Sequence, residues 1–154
     1  MRTLFAAYRV SDLERSLDFY TALGYRELGR VGFDDGGRLA VLSFPDEPAA
    51  TLELVHRPDA GPVEVGGFDH LAIQVDDLDK TLATLTSRGL APGLPELPGG
   101  PDGPRTAWLA DPDGYRIELV EWPAGHPYGL TAADFPDVPG VPDNPSDTRG
   151  DTRS

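Results

Sequence analysis

Two glutamates and a histidine carry the residue types that could do chemistry here. Glu53 sits inside the apolar run 52–55, LELV, and Glu118 inside the matching run 117–120, IELV. His70 is the second residue of the segment 69–75, DHLAIQV. A carboxylate in the middle of an apolar strand is costly unless it is paired, exposed or bound to a cation. Imidazole and oxygen donors without thiolate suit Mn, Fe, Co, Ni or Zn, and the imidazole disfavours Mg. The same carboxylates are candidates for general acid–base work. His70 by itself reads as a histidine satisfied by local hydrogen bonds. What lifts it out of that reading is spacing: Glu118 follows Glu53 by 65 residues, and His70 follows Phe5 by the same 65.

That offset is an internal repeat. The run 10–17, VSDLERSL, matches 75–82, VDDLDKTL; Gly24 matches Gly89 and Asp46 matches Asp111. In the first half, residues 3–10 alternate as a strand. Ser11 or Asp12 can cap a helix carrying Leu13, Leu17 and Tyr20, with Gly24 as its stop. Extended stretches follow at 25–31, 39–44 and 50–56, with the turn residues Asp34–Gly37 between the first two. After a Pro/Gly-rich linker at 58–67 the order recurs: strand 68–75, helix 78–88, a weakly extended stretch at 90–97, and strands 105–110 and 115–122. Pro92 and Pro95 place the 90–97 stretch on a sheet edge. The expected fold is α+β, two tandem βαβββ modules (1–62 and 66–122) forming an open mixed or antiparallel sheet that curls round a concave site. Leu52, Leu54, Ile117 and Leu119 face the helices, so Phe5, Glu53, His70 and Glu118 share the opposite, concave faces. Paired about a pseudo-two-fold axis, the four positions converge.

Composition narrows the partners. A net charge of −13 argues against nucleic acid or an anionic membrane as partner. The absence of cysteine rules out disulfides, thiolate metal sites and a cysteine nucleophile. No apolar run reaches the length of a membrane span, and the N-terminus lacks a signal-peptide core, so a cytoplasmic location is expected. Residues 123–154 form a Pro/Gly/Asp-rich tail, expected to hug the surface or to be disordered beyond Pro139. Its 128–135 stretch has the aromatic and apolar residues to dock on the body or on a partner subunit.

The paired modules and the four positions resemble the vicinal oxygen chelate superfamily, which includes glyoxalase I (lactoylglutathione lyase), bleomycin resistance proteins and dioxygenases. The segments carrying the resemblance are 9–20 (RVSDLERSLDFY), 52–54 (LEL), 69–72 (DHLA) and 111–118 (DPDGYRIE). The closest likeness is to bacterial glyoxalase I. It implies metal ligands at Glu53, His70 and Glu118, with Phe5 where that branch has a histidine. It implies a divalent ion (Ni, Co, Zn, Mn or Fe) that binds a small carbonyl substrate and stabilises its enediolate, while Glu118 or Glu53 moves a proton. Arg9 falls at the position that helps hold the glutathione carboxylate, and Arg57 stands where the family has an asparagine contacting the thiol. Phe5 becomes an apolar wall of the substrate pocket, and Trp108 is a further lining candidate.

The same resemblance implies a homodimer whose site forms between subunits. Two other activities share the fold: an antibiotic-binding protein of the bleomycin-resistance type, which needs no metal, and a metal-dependent dioxygenase. The dioxygenase set of two histidines and one glutamate differs from the one histidine and two glutamates here.

Overall fold

In a computed structural model, residues 4–126 and 128–130 are described. The chain divides into a body, Met1–Ala124, and a C-terminal unit, Gly125–Ser154. In the C-terminal unit Tyr128 and Leu130 are exposed. The rest of the expected docking stretch, and the tail beyond Pro139, lie outside the described residues. No helix of the described chain is long and apolar enough to cross a membrane.

The body begins with β1 (Ala6–Arg9), α1 (Leu13–Leu23), β2 (Arg26–Gly32), β3 (Arg38–Ser43) and β4 (Leu52–His56). These strands form one sheet in the order β1-β4-β3-β2, with β1 parallel to β4. The second half gives β5 (Leu71–Gln74), α2 (Leu78–Ser87), β6 (Arg105–Ala110) and β7 (Arg116–Glu121), a three-stranded sheet in the order β5-β7-β6 with β5 parallel to β7.

The repeat is physical. Asp12 caps α1 by accepting the Arg15 N–H at 3.0 Å; Asp77 caps α2 by accepting the Lys80 N–H at 2.8 Å. α1 stops at Gly24, whose φ of +126° puts it where a Cβ is disfavoured. Its N–H donates to the Tyr20 and Thr21 carbonyls. Leu13, Leu17 and Tyr20 of α1 are buried in one core with Leu52 and Leu54 of β4; Leu78 and Leu85 of α2 join the same core with Ile117 and Leu119 of β7. Full burial of each such leucine contributes about 1.5–3 kcal/mol.

One strand differs from expectation. The 90–97 stretch joins β6 by a single bridge, Glu96 to Thr106, helped by the Gly93 N–H donating to the Trp108 carbonyl at 2.7 Å. Pro92 and Pro95 have no N–H to give, so a regular ladder cannot propagate there. The second module is therefore one strand short, and the two sheets are separate rather than one continuous surface.

The modules meet where the β6–β7 turn docks against the start of α1. Tyr115 stacks on Tyr8 at 4.8 Å between centroids, and Phe68 packs edge-on against both rings. The Tyr20 hydroxyl donates to the buried Asp111 carboxylate at 3.0 Å. Asp113 accepts from the Ser11 N–H at 2.9 Å and from the Ser11 hydroxyl. Arg15 reaches the Pro112 carbonyl at 2.7 Å.

Candidate active site

Each glutamate sits in the middle of a three-strand ribbon. Glu53 is flanked by Ala7 of β1 and Val41 of β3. Glu118 is flanked by Ala72 of β5 and Trp108 of β6. Their neighbours in sequence, Leu52, Leu54, Ile117 and Leu119, are buried toward the helices, so both carboxylates lie on the helix-free faces. Ala7 and Val41 offer Glu53 no hydrogen bond. Glu118 has a polar neighbour instead.

That neighbour is His70, one residue ahead of β5. Its Nε2 lies 3.4 Å from Glu118 Oε2, and its Nδ1 lies 2.5 Å from Asp69 Oδ2. The ring meets Trp108 edge-on at 5.1 Å. The Arg116 guanidinium carbon sits 4.2 Å from the centroid of the same indole, a cation–π contact. The exposed Asp69 and the Trp108 ring thus contact the imidazole, and Arg116 packs on the indole. The hydrogen bond from His70, helped by the charge of Arg116, holds the Asp69 carboxyl below its ordinary range.

The expected residues divide into two groups. His70, Glu118 and Trp108 come together on the second sheet. Glu53 and Phe5 belong to the first, where Phe5 precedes β1 and is partly exposed. Among the described residues no group of three His, Asp or Glu side chains gathers closely enough within one chain to hold a metal ion. Arg9 is engaged with the linker: its guanidinium donates to the Ala60 carbonyl at 2.6 Å and to the Pro62 carbonyl. Arg57, the residue after β4, packs against the β2–β3 turn, 3.3 Å from Asp35 and over the Phe33 ring.

Sequence reasoning missed Asp69 and Arg116 as parts of the cluster. Arg116 was legible, because it shares strand parity with Glu118. Asp69 was not, because adjacent residues of a strand point to opposite faces. A cleft of about 460 Å³ lies elsewhere, against Leu97, Arg105, Glu121 and Trp122, and includes none of these residues.

The second notable environment is the module junction. Burial raises the Asp111 carboxyl above its ordinary value, against the hydrogen bonds it accepts from the Tyr115 N–H, Tyr20 hydroxyl and Asp113 N–H. Burial likewise pushes the Tyr8 hydroxyl up to about 12, with Asp111 and Tyr115 adding to the effect. The Tyr20 hydroxyl moves up for the same leading reason, burial, reinforced by the Asp111 charge.

Comparison with known proteins agrees with this architecture. The family model described as Glyoxalase/Bleomycin resistance protein/Dioxygenase superfamily matches residues 3–119. The lactoylglutathione lyase of Neisseria meningitidis serogroup A is 36% identical over 132 residues, covering 81% of this chain and 94% of that protein. The crystal structure of a V278E mutant of glyoxalase I from Zea mays superposes with a TM-score of 0.69 at 32% identity. The match covers 78% of this chain but 44% of the maize chain, so this chain spans less than half of that protein. TnmS3, an antibiotic-binding protein from Streptomyces sp. CB03234, superposes with a TM-score of 0.62 at 27% identity, over 80% of this chain and 97% of that one.

Proposed function

We propose that this chain, which belongs to the glyoxalase/bleomycin resistance protein/dioxygenase superfamily, is a metal-dependent lyase or isomerase of the glyoxalase I type. Its substrate class is a small carbonyl compound presented as a hemithioacetal. The reading rests on one observation, the His70 Nε2 facing Glu118 Oε2 at 3.4 Å beside the Trp108 wall.

The donor chemistry fits a divalent cation. A carboxylate only accepts hydrogen bonds, and a neutral imidazole that donates through Nδ1 presents a bare lone pair at Nε2. Two lone-pair donors at this spacing are stable with a cation between them: ligand bonds of about 2.1 Å put neighbouring ligands on the order of 3–3.5 Å apart. His70 and Glu118 would hold the ion from one side, and Glu53 of a second copy would supply the third ligand. That is why the reading includes a homodimer with its site shared between chains. When bound, the ion would polarise the substrate oxygens.

The protein's own groups do the rest. One of the two carboxylates, Glu118 or Glu53, takes a proton from the carbon beside the carbonyl and returns it to the neighbouring carbon. Trp108 and Phe5 wall the pocket and limit water. Arg116, beside the indole, offers a cation to an anionic group of the substrate. Arg9 can do the same only after leaving the Ala60 and Pro62 carbonyls.

The lactoylglutathione lyase name of a relative 36% identical supports the reaction class. Phe5 and the likeness to an antibiotic-binding protein favour a second reading, a metal-free binding module. Metal analysis of the purified protein, followed by assays on hemithioacetals of several thiols, separates the two. A stoichiometric divalent ion and chelator-sensitive turnover are expected. Protein that is metal-free, binds no added Ni, Co or Zn, and turns over none of the thiol adducts overturns the enzyme reading.

A further inference from the structure

Adjacent side chains of an extended strand diverge, yet Asp69 and His70 meet at 2.5 Å. They do so because β5 does not start until Leu71, and the chain reaches it through Gly67 at a φ of +110°. Both residues thus precede the paired strand, and its alternation of faces does not constrain them.

We propose that Asp69 is a positioning residue for His70: it fixes the imidazole as the Nδ1–H tautomer and aims the Nε2 lone pair at Glu118. The part played by a bound cation, and with it the aim of Nε2 at Glu118, rests on the functional reading above; the tautomer does not.

Three observations carry this. Asp69 is the nearer of the two carboxylates, at 2.5 Å against 3.4 Å for Glu118, so the shared ring proton belongs on Nδ1. Trp108 packs edge-on against one side of the ring. The repeat supplies a comparison within the molecule: 65 residues before Asp69 and His70 stand Leu4 and Phe5. Where the imidazole is absent, its carboxylate partner is absent too. Imidazole ligands of metals commonly donate their second ring N–H to a carboxylate, which raises ligand basicity and holds the ring in place.

The test uses full-length, metal-free protein labelled with 15N. Long-range 1H–15N correlation spectra at a pH where the ring is neutral report which nitrogen carries the proton. The chain has three histidines, so a His70→Asn spectrum assigns the signal. The expected result is the Nδ1–H form in the wild type and a shift toward Nε2–H in Asp69→Ala, with Asp69→Asn, which keeps an acceptor oxygen, in between. Ni or Co titration should show affinity about ten- to hundredfold weaker for Asp69→Ala, with unchanged circular dichroism. A wild-type Nε2–H tautomer, a tautomer unaltered by Asp69→Ala, or equal metal affinity in the two proteins overturns the proposal. If the wild type binds no metal, the functional reading falls and the tautomer spectra alone decide the role of Asp69.

Discussion

A shared site makes a quantitative demand on mixed dimers. His70 and Glu118 lie together on the β5-β7-β6 sheet, and Glu53 lies on the β1-β4-β3-β2 sheet. If a second copy provides the missing carboxylate, each site takes Glu53 from one chain and the His70–Glu118 pair from the other. Glu53→Gln and Glu118→Gln keep side-chain volume while removing a ligand charge. Each homodimer then has two damaged sites, with turnover on the order of a hundredth of wild type or lower. In a mixed dimer, one site collects both substitutions and the other collects neither. Random pairing of equal amounts makes half the dimers mixed, so about one quarter of wild-type activity per chain returns. The assay is denaturation and joint refolding of the two variants, dimer content by light scattering, then hemithioacetal turnover under saturating metal. Activity of the mixture no higher than that of the two variants assayed apart, with dimers demonstrably formed, refutes the shared site. A chain that stays monomeric at assay concentration refutes it as well.

The module junction gives further predictions. Tyr20→Phe removes a hydroxyl that donates to a buried carboxylate at 3.0 Å; the cost is about 2 kcal/mol at neutral pH, read as a Tm lower by about 4–8 °C. Asp111 has a folded pKa above its unfolded value, so its protonated form favours folding and that contribution is lost as pH rises through the folded value. Asp111→Asn keeps an oxygen for the Tyr115 and Asp113 N–H groups, and urea melts at acid and neutral pH should show it gaining on the wild type as pH rises; an equal difference at both contradicts the assignment. Tyr8, pushed up to about 12, contributes stability present below about pH 10, the unfolded value, and lost between there and about 12. Its hydroxyl is buried with no hydrogen-bond partner among the described residues, so Tyr8→Phe should be neutral or stabilising by up to about 1 kcal/mol at pH 7 and should blunt the alkaline loss.

The architecture was largely legible because the repeat states it twice. The helix caps at Asp12 and Asp77, the stop at Gly24 and the inward leucines of β4 and β7 follow from local chemistry and strand parity. The β6–β7 turn could be read from Asp111–Gly114, but its docking on α1 could not, because nothing local links Asp113 to Ser11 across 102 residues. The gap at 90–97 was half visible: the prolines announced an edge, and the structure shows how little pairing survives them. At the site, parity placed Glu53, His70 and Glu118 on concave faces. It joined those faces in one open sheet, whereas the structure has two, since sheet separation depends on long-range pairing. Parity also misled at Asp69, because β5 starts at Leu71, three residues later than the expected start at 68.

The exchange of phenylalanine for histidine between the halves has a stereochemical consequence. A planar enediolate held between two carboxylates has two faces to which the proton could be returned. If the proposed shared site forms with Phe5 on one flank and His70 on the other, the two directions differ in polarity, so a substrate settles in one orientation and the proton is delivered to one face. A turnover product of this chain should therefore be a single enantiomer, which chiral chromatography can read directly.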